Sequence, residues 1–302
     1  MSDADPTDAT PQDLVAGLVR LLTVERTGPM AFAGLSKPDG IGRVFGGQVI
    51  AQALQAAQAT APDGMEAHSL HAYFLRGGRE GVDIDYRVVA DLDGRSFANR
   101  RIMASQQGAP ILTLSASFQR PETGLSHEDS AMPDVPPPEE LVSDMDHRRR
   151  FMARAGTVSD QQRAIMLRPR PIEMRTSDSL HWMNSDPRPP QAHSWFRTVA
   201  PLPDDPALHR AVIAYASDFT LLGTSVLPHG LSWARGELKG ASLDHALWFH
   251  SPARADDWLL YATDSPWSGG GRGFNRGRIF TRDGVLVASV AQEGVIRRAK
   301  GK

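Results

Sequence analysis

Asp218 is the residue whose position most needs a chemical reason. It falls inside an apolar stripe of Ala211, Ala214, Tyr215, Leu221 and Leu222 at helical spacing. A carboxylate turned toward a sheet costs several kcal/mol unless it is paired or wetted. Two readings are open: Ser217-Asp218-Phe219-Thr220 is turn-like, so Asp218 caps a break in the helix, or the carboxylate is held inward for chemistry. Gln292 shares strand parity with Leu286, Ala288 and Val290, which sends its amide into the inward row. An inward amide needs partners, and water, a substrate carbonyl or a structural group would each serve. Ser242 opens the run Ala241-Ser242-Leu243-Asp244-His245, and composition alone assigns it no role. Asp244 and His245 are adjacent, hence on opposite faces of a strand, and form no relay with each other.

Gly46 and Gly47 precede a helix, where free N–H groups and the positive end of the dipole could hold an oxygen as charge develops on it. Close packing of the helix on a sheet explains the pair equally well. The glycines around Arg272 match neither phosphate-loop spacing and read as a hairpin lip. Arg95 and Arg272 match across an internal repeat and could meet an anion at the rim. Neither G-x-S-x-G nor H-E-x-x-H occurs, which disfavours a serine elbow and that zinc site. His68 and His71 would face opposite sides of a strand, so no metal is expected there.

The repeat organises the elements. Gly94, Arg95, Phe97, Arg101 and Ile102 recur as Gly271, Arg272, Phe274, Arg278 and Ile279. Ala116 to Gln119 aligns with Ser289 to Gln292, which implies a shorter turn between the strands of the second copy. Ser69 to Phe74 resembles Ser242 to Phe249 if the second run carries an insertion. So long a period excludes a solenoid and points to a duplicated domain.

Helices are expected at Gln12 to Val24, Gly46 to Ala59 and Asp205 to Leu222; the second is alanine-rich, with stripes at Val49, Ala53, Ala56 and at Ile50, Leu54, Ala57. Strict alternation predicts a strand at Val82 to Val88, and a hairpin joins Arg101 to Ala104 with Ile111 to Gln119. In the second half a strand at Pro171 to Arg175 pairs with one at His193 to Arg197. Strands follow at Ser242 to Phe249, Trp258 to Thr263, Phe274 to Arg282 and Val285 to Gln292. The fold class is α+β: one helix wrapped by a curled antiparallel sheet, the hotdog arrangement, twice over. The expected organisation is a mobile tail at 1–10, a hotdog domain at 11–120, a Pro-rich charged linker at 121–165 and a second hotdog domain at 166–300. The linker carries one helix from Glu139 to Arg154, whose Arg148, Arg149 and Arg150 form a solvated face.

Bulk properties narrow the class. With 302 residues and a net charge of −2, no strong field favours nucleic acid or an anionic membrane. Zero cysteines exclude disulfides and thiolate catalysis. The acidic start is unlike a signal peptide, and no stretch reaches the ~18–20 apolar residues of a membrane span, so a cytoplasmic protein is expected.

The runs Phe45-Gly46-Gly47-Gln48-Val49, Ala51-Gln52-Ala53-Leu54 and His68 to Phe74 resemble the acyl-CoA thioesterase II family. So do Tyr215-Ala216-Ser217-Asp218, Ala241 to His245 and Ala288 to Gly294, and the resemblance spans roughly residues 10–297. It implies a double hotdog that hydrolyses acyl-CoA to a free acid and CoA without cofactor, metal or covalent intermediate. It also implies a water held by Asp218, Gln292 and Ser242, with serine here where members carry threonine. Chains of that family pair further, so a homodimer or homotetramer is expected. Two alternatives remain. An enoyl-CoA hydratase would pair an Asp with a His, but the nearest upstream histidine to Asp218 is His209, nine residues away. The other is a non-catalytic acyl-CoA-binding protein. Trp248, Trp267 and Phe274 are large enough to close an acyl tunnel.

Overall fold

The computed structural model describes residues 9–37, 42–156, 158–176 and 186–299. Thr10 and Asp13 form a capping box, and Pro11 begins α1 (Pro11–Leu22). Then come β1 (Val24–Gly28), β2 (Ala31–Gly34), α2 (Gly46–Gln58), β3 (Glu66–Phe74), β4 (Ile84–Asp93), β5 (Phe97–Gln106) and β6 (Ala109–Gln119). A helix apolar on every side needs cover on every side. Both stripes of α2 are buried, and so are Gln48 and Gln52. These two amides are satisfied by the Leu35 carbonyl, at 2.8 and 2.9 Å, and Gln52 accepts from the Tyr86 hydroxyl at 2.6 Å.

Next are β7 (Val142–Ser143), α3 (Asp144–Arg154) and α4 (Asp160–Leu167). The second half comprises β8 (Ile172–Thr176), β9 (Gln191–Thr198), α5 (Pro206–Ala216), α6 (Leu221–Thr224), β10 (Leu238–Ser242), β11 (Asp244–Phe249), β12 (Leu259–Gly269), β13 (Arg272–Thr281) and β14 (Leu286–Arg298). Among the described residues the strands form one 14-stranded sheet, ordered β1-β2-β4-β5-β6-β3-β11-β14-β13-β12-β9-β8-β7, with β10 on β14. Outward from the central β3–β11 pair the two halves present matching parts: β3, β6, β5, β4, β2, β1 on one side and β11, β14, β13, β12, β9, β8 on the other. Leu70 pairs with Leu247 at that centre, where the pseudo-twofold passes. The helices α2 and α5 pack against each other inside the curled sheet.

Several expectations need correction. Strand pairing shifts the repeat by one residue. Phe97 faces Gln119, whereas Phe274 faces Glu293, so Gln119 corresponds to Glu293 and Gln292 to the buried Phe118. Likewise Leu70 corresponds to Leu247, not to Leu243 as the alignment of Ser69 with Ser242 implies. The second turn is the longer one, because β13 and β14 stop pairing at Phe280 and Leu286 while β5 and β6 pair as far as Gln106 and Ala109. The helix expected from Asp205 to Leu222 stops at Ala216 and restarts at Leu221. The strand expected from Ser242 is two strands divided at Leu243.

Of the expected tail, residues 1–8 lie outside the described residues, and Thr10 is fixed as a helix cap. The helix expected from Glu139 begins at Asp144, after a 3-10 turn and the short β7, and Arg148 is not solvated but buried against Asp144 at 3.1 Å. One segment, Pro206–His229, does have the length and mean hydropathy (1.3) to cross a membrane, contrary to expectation. Its apolar character is that of a core helix, and 67% of the window is buried inside the protein.

Candidate active site

The break after α5 delivers Asp218. Ser217 caps α5, and two side chains fasten it: the Ser217 hydroxyl lies 2.9 Å from His245 Nε2, and the Tyr261 hydroxyl donates to the Ser217 carbonyl at 2.7 Å. Tyr261 reaches that carbonyl because Gly277 faces it on β13; a Cβ there would sit 2.3 Å from the ring. Asp218 is therefore both things the sequence left open, a residue of a helix break and a carboxylate turned inward.

The start of α2, from the other half, meets it. Gly47 N–H donates to Asp218 Oδ2 at 2.9 Å. Neither glycine leaves space: a Cβ on Gly46 would stand 2.7 Å from Asp218 Oδ2, and one on Gly47 would stand 2.4 Å from the Tyr215 carbonyl. The helix N-terminus thus holds the carboxylate, and the Gly47 N–H expected for an oxyanion is already committed. Gly46, in the same unpaired first turn, lines the cavity.

Gln292 and Ser242 stand beside Asp218. Gln292 projects inward from β14 and is 1% exposed, and its Nε2 donates to Ser242 Oγ at 2.7 Å. Ser242 closes β10 rather than opening a strand, and its main chain pairs with Gly294. Asp218 and Ser242 line a cavity of about 480 Å³ between the halves, walled by Phe45, Val49, Phe74, Phe219, Leu222 and Trp233, and the buried Gln292 touches Ser242 without lining it. Trp248, Trp267 and Phe274 do not line it. Loss of water dominates the electrostatics of Asp218, even though part of its surface meets the cavity. Burial raises its pKa from 3.8 to about 7, against hydrogen bonds from Gln292, Gly47 and Ser242 and the nearby charge of Arg43.

The remaining residues singled out in the sequence lie elsewhere. Arg272 pairs with Glu293 at 3.0 Å and sits over Trp267, so its charge is engaged. Arg95 is exposed in the β4–β5 turn and does not line the cavity. Arg43 and Arg76 do line it, and neither stood out in the sequence. His245 was also missed. It is fully buried on β11, its Nδ1 is 2.5 Å from Gln292 Oε1, and burial lowers its pKa to about 4. Asp244 faces the other way and accepts from Glu293 N–H at 2.6 Å, as strand parity requires. That parity, shared with Leu247, was the available signal for His245.

Among the described residues the trio has no second copy across the pseudo-twofold. The residue following the C-cap is Asp218 after α5 but Thr60 after α2. Buried Arg100 fills that corner, donating to the Thr60 carbonyl at 2.7 Å and to Asp93 at 2.6 Å, and Phe118 replaces Gln292.

A doubled helix-in-sheet body with one polar trio at the seam is a double-hotdog architecture. A hot dog fold protein from Alicyclobacillus acidocaldarius superposes over 94% of this chain with a TM-score of 0.75 at 18% identity. Residues 169–295 match the family model described as acyl-CoA thioesterase, and residues 36–119 match its N-terminal domain. Acyl-CoA thioesterase 2 of Haemophilus influenzae is 37% identical over 94% of this chain and 98% of its own. Acyl-coenzyme A thioesterase 8 of Homo sapiens is 38% identical over 84% and 81%. The crystal structure of acyl-CoA thioesterase II TesB2 from Mycobacterium marinum matches with a TM-score of 0.75 and 39% identity, over 94% of this chain and 99% of that one. This chain belongs to the acyl-CoA thioesterase family.

Proposed function

We propose that the chain hydrolyses the thioester of fatty acyl-CoA to a free fatty acid and CoA, using a water activated by Asp218 and aligned by Gln292 and Ser242. The observation that carries the reading is a carboxylate in the wall of a mostly apolar cavity, with an amide and a hydroxyl fixed beside it. A carboxylate whose pKa is near 7 is ionised often enough at neutral pH to accept a proton and basic enough to take it. As water oxygen bonds to the thioester carbon, its proton passes to Asp218 and the carbonyl electrons move onto oxygen. The Gly46 N–H, in the unpaired first turn of α2 that lines the cavity, is assigned to that oxyanion. Collapse breaks the C–S bond, and the leaving thiolate recovers the proton. Gln292 and Ser242 supply orientation, which is the positional share of the barrier.

Arg43 and Arg76, exposed at the cavity mouth, suit the phosphates of CoA, and the aromatic wall suits an acyl chain. Against the hydratase reading stands His245, whose two ring nitrogens face Gln292 and Ser217. Assembly as a homodimer or homotetramer and a cytoplasmic location belong to the same reading. Exposed Tyr73, Val89 and Met103 on the first half of the sheet favour the former, and the lack of cysteine favours the latter.

The test is release of free thiol from acyl-CoAs of graded chain length, read with a thiol reagent. The protein itself contributes no thiol background. Turnover on at least one chain length, reduced about 10²–10⁴-fold in Asp218→Asn, is expected. Equal turnover by Asp218→Asn and the unaltered chain would remove Asp218 from the reaction.

A further inference from the structure

A primary amide has two ends that are alike in shape and opposite in chemistry, so its direction must be set by its neighbours. Gln292 lies beside a carboxylate. Presented with its oxygen toward Asp218, it would set two acceptors against each other in a site with little water. Presented with its nitrogen, it donates to Ser242 Oγ and has a second N–H for Asp218. What enforces the second choice is the group at the other end. His245 Nδ1 lies 2.5 Å from Gln292 Oε1 and can hold that oxygen only as an N–H donor.

We infer that His245 is the positioning residue of this site: its Nδ1–H holds the oxygen end of the Gln292 amide. This rests on the role proposed above for Asp218 and Gln292. The chain of donors runs one way. The Ser217 hydroxyl lies 2.9 Å from Nε2 and also 2.9 Å from the Ala214 carbonyl, so its one proton has two acceptors, and it is the 2.5 Å contact with Gln292 Oε1 that calls for the ring proton on Nδ1. Nδ1–H donates to Gln292 Oε1, and Gln292 Nε2 donates to Ser242 Oγ. The Ser242 proton is thereby free to point at Asp218 or a water. The ring is fully buried and stays neutral over the working range, since burial holds its pKa down to about 4. Both its ring nitrogens face protein groups, so it acts through Gln292 and not on substrate.

The geometry also closes a loop. Ser217 is the residue before Asp218, so the segment that carries the carboxylate also touches the histidine that aims the amide at it. Carboxylate, amide and hydroxyl come from three separate elements, and His245 is the piece that joins two of them.

The test compares His245→Asn with His245→Leu, using thiol release with a saturable acyl-CoA. Asparagine can place an N–H where Nδ1 stood; leucine fills the volume and offers none. For His245→Leu, kcat falls about a hundredfold with KM within about threefold, because the amide is free to turn while the acyl site is intact. For His245→Asn, kcat stays within about tenfold of the unaltered chain. Thermal unfolding of both variants separates folding loss from misaligned chemistry. Equal kcat in the leucine variant and the unaltered chain overturns the inference. So does an equal loss in the two variants when both fold. Asp218→Asn is assayed alongside: if it retains full turnover, the underlying reading fails, whereas if it alone is inactive the reading stands and His245 is dismissed.

Discussion

Asp218 is costly to the fold in proportion to its usefulness. Its pKa is raised from 3.8 to about 7 in the folded chain, chiefly by burial. The folded state therefore holds the proton more tightly than the unfolded chain between those two values. Stability contributed by the protonated form is complete below about pH 4 and is lost as pH climbs to about 7; above that the buried charge is a constant penalty. Asp218→Asn is expected to unfold at the same temperature as the unaltered chain near pH 4 and a few degrees higher at pH 8. A denaturation series across pH checks this, and a lower midpoint for the variant at pH 8 would contradict it. The sequence exposed this residue because an acid interrupts an apolar stripe. It did not expose His245, because a histidine of inward parity looks the same whether it fills space or aims an amide.

Gly47 shows how elements make the site. The helix N-terminus reaches Asp218 only because no side chain stands between α2 and the end of α5. Gly47→Ala would place a methyl 2.4 Å from the Tyr215 carbonyl, a main-chain atom that cannot swing aside. Overpacking of that kind costs about 1–3 kcal/mol. The expected outcome is a lower urea midpoint together with lost turnover. An unchanged midpoint would mean that the helices separate freely and that the contact does not order the site.

Helix periodicity located α2 to within a residue. It ran α5 on through its break, because Leu221 and Leu222 continue the apolar pattern and the turn is held by Tyr261 and His245 from distant strands. The one-residue slip in the repeat has a similar cause. Two glutamines invite alignment by identity, while the pairing of Phe97 with Gln119 and Phe274 with Glu293 is a property of the sheet.

At the scale of the molecule, duplication built two equivalent corners and the chain furnished one. The first is packed with Arg100, Thr60 and Phe118; the second holds Asp218, Ser242 and Gln292. The double-hotdog plan was legible, since repeated motifs and one apolar helix per half leave few other ways to bury both. Which corner would be open was not, because that choice rests on Gly277 admitting Tyr261 where Arg100 stands in the other copy. The seam also sets the chemistry, since residues of both halves enclose Asp218 and deprive it of water.

The most direct measurement is therefore the pH dependence of kcat/KM for acyl-CoA hydrolysis. His245, with its pKa near 4, does not titrate in the relevant range, so a single acid limb belongs to Asp218. The expected result is a tenfold fall in kcat/KM per unit of pH below a midpoint of about 7. A profile that stays level down to pH 5 would mean that the carboxylate is ionised throughout, as an exposed one is, and would contradict water activation by a buried Asp218.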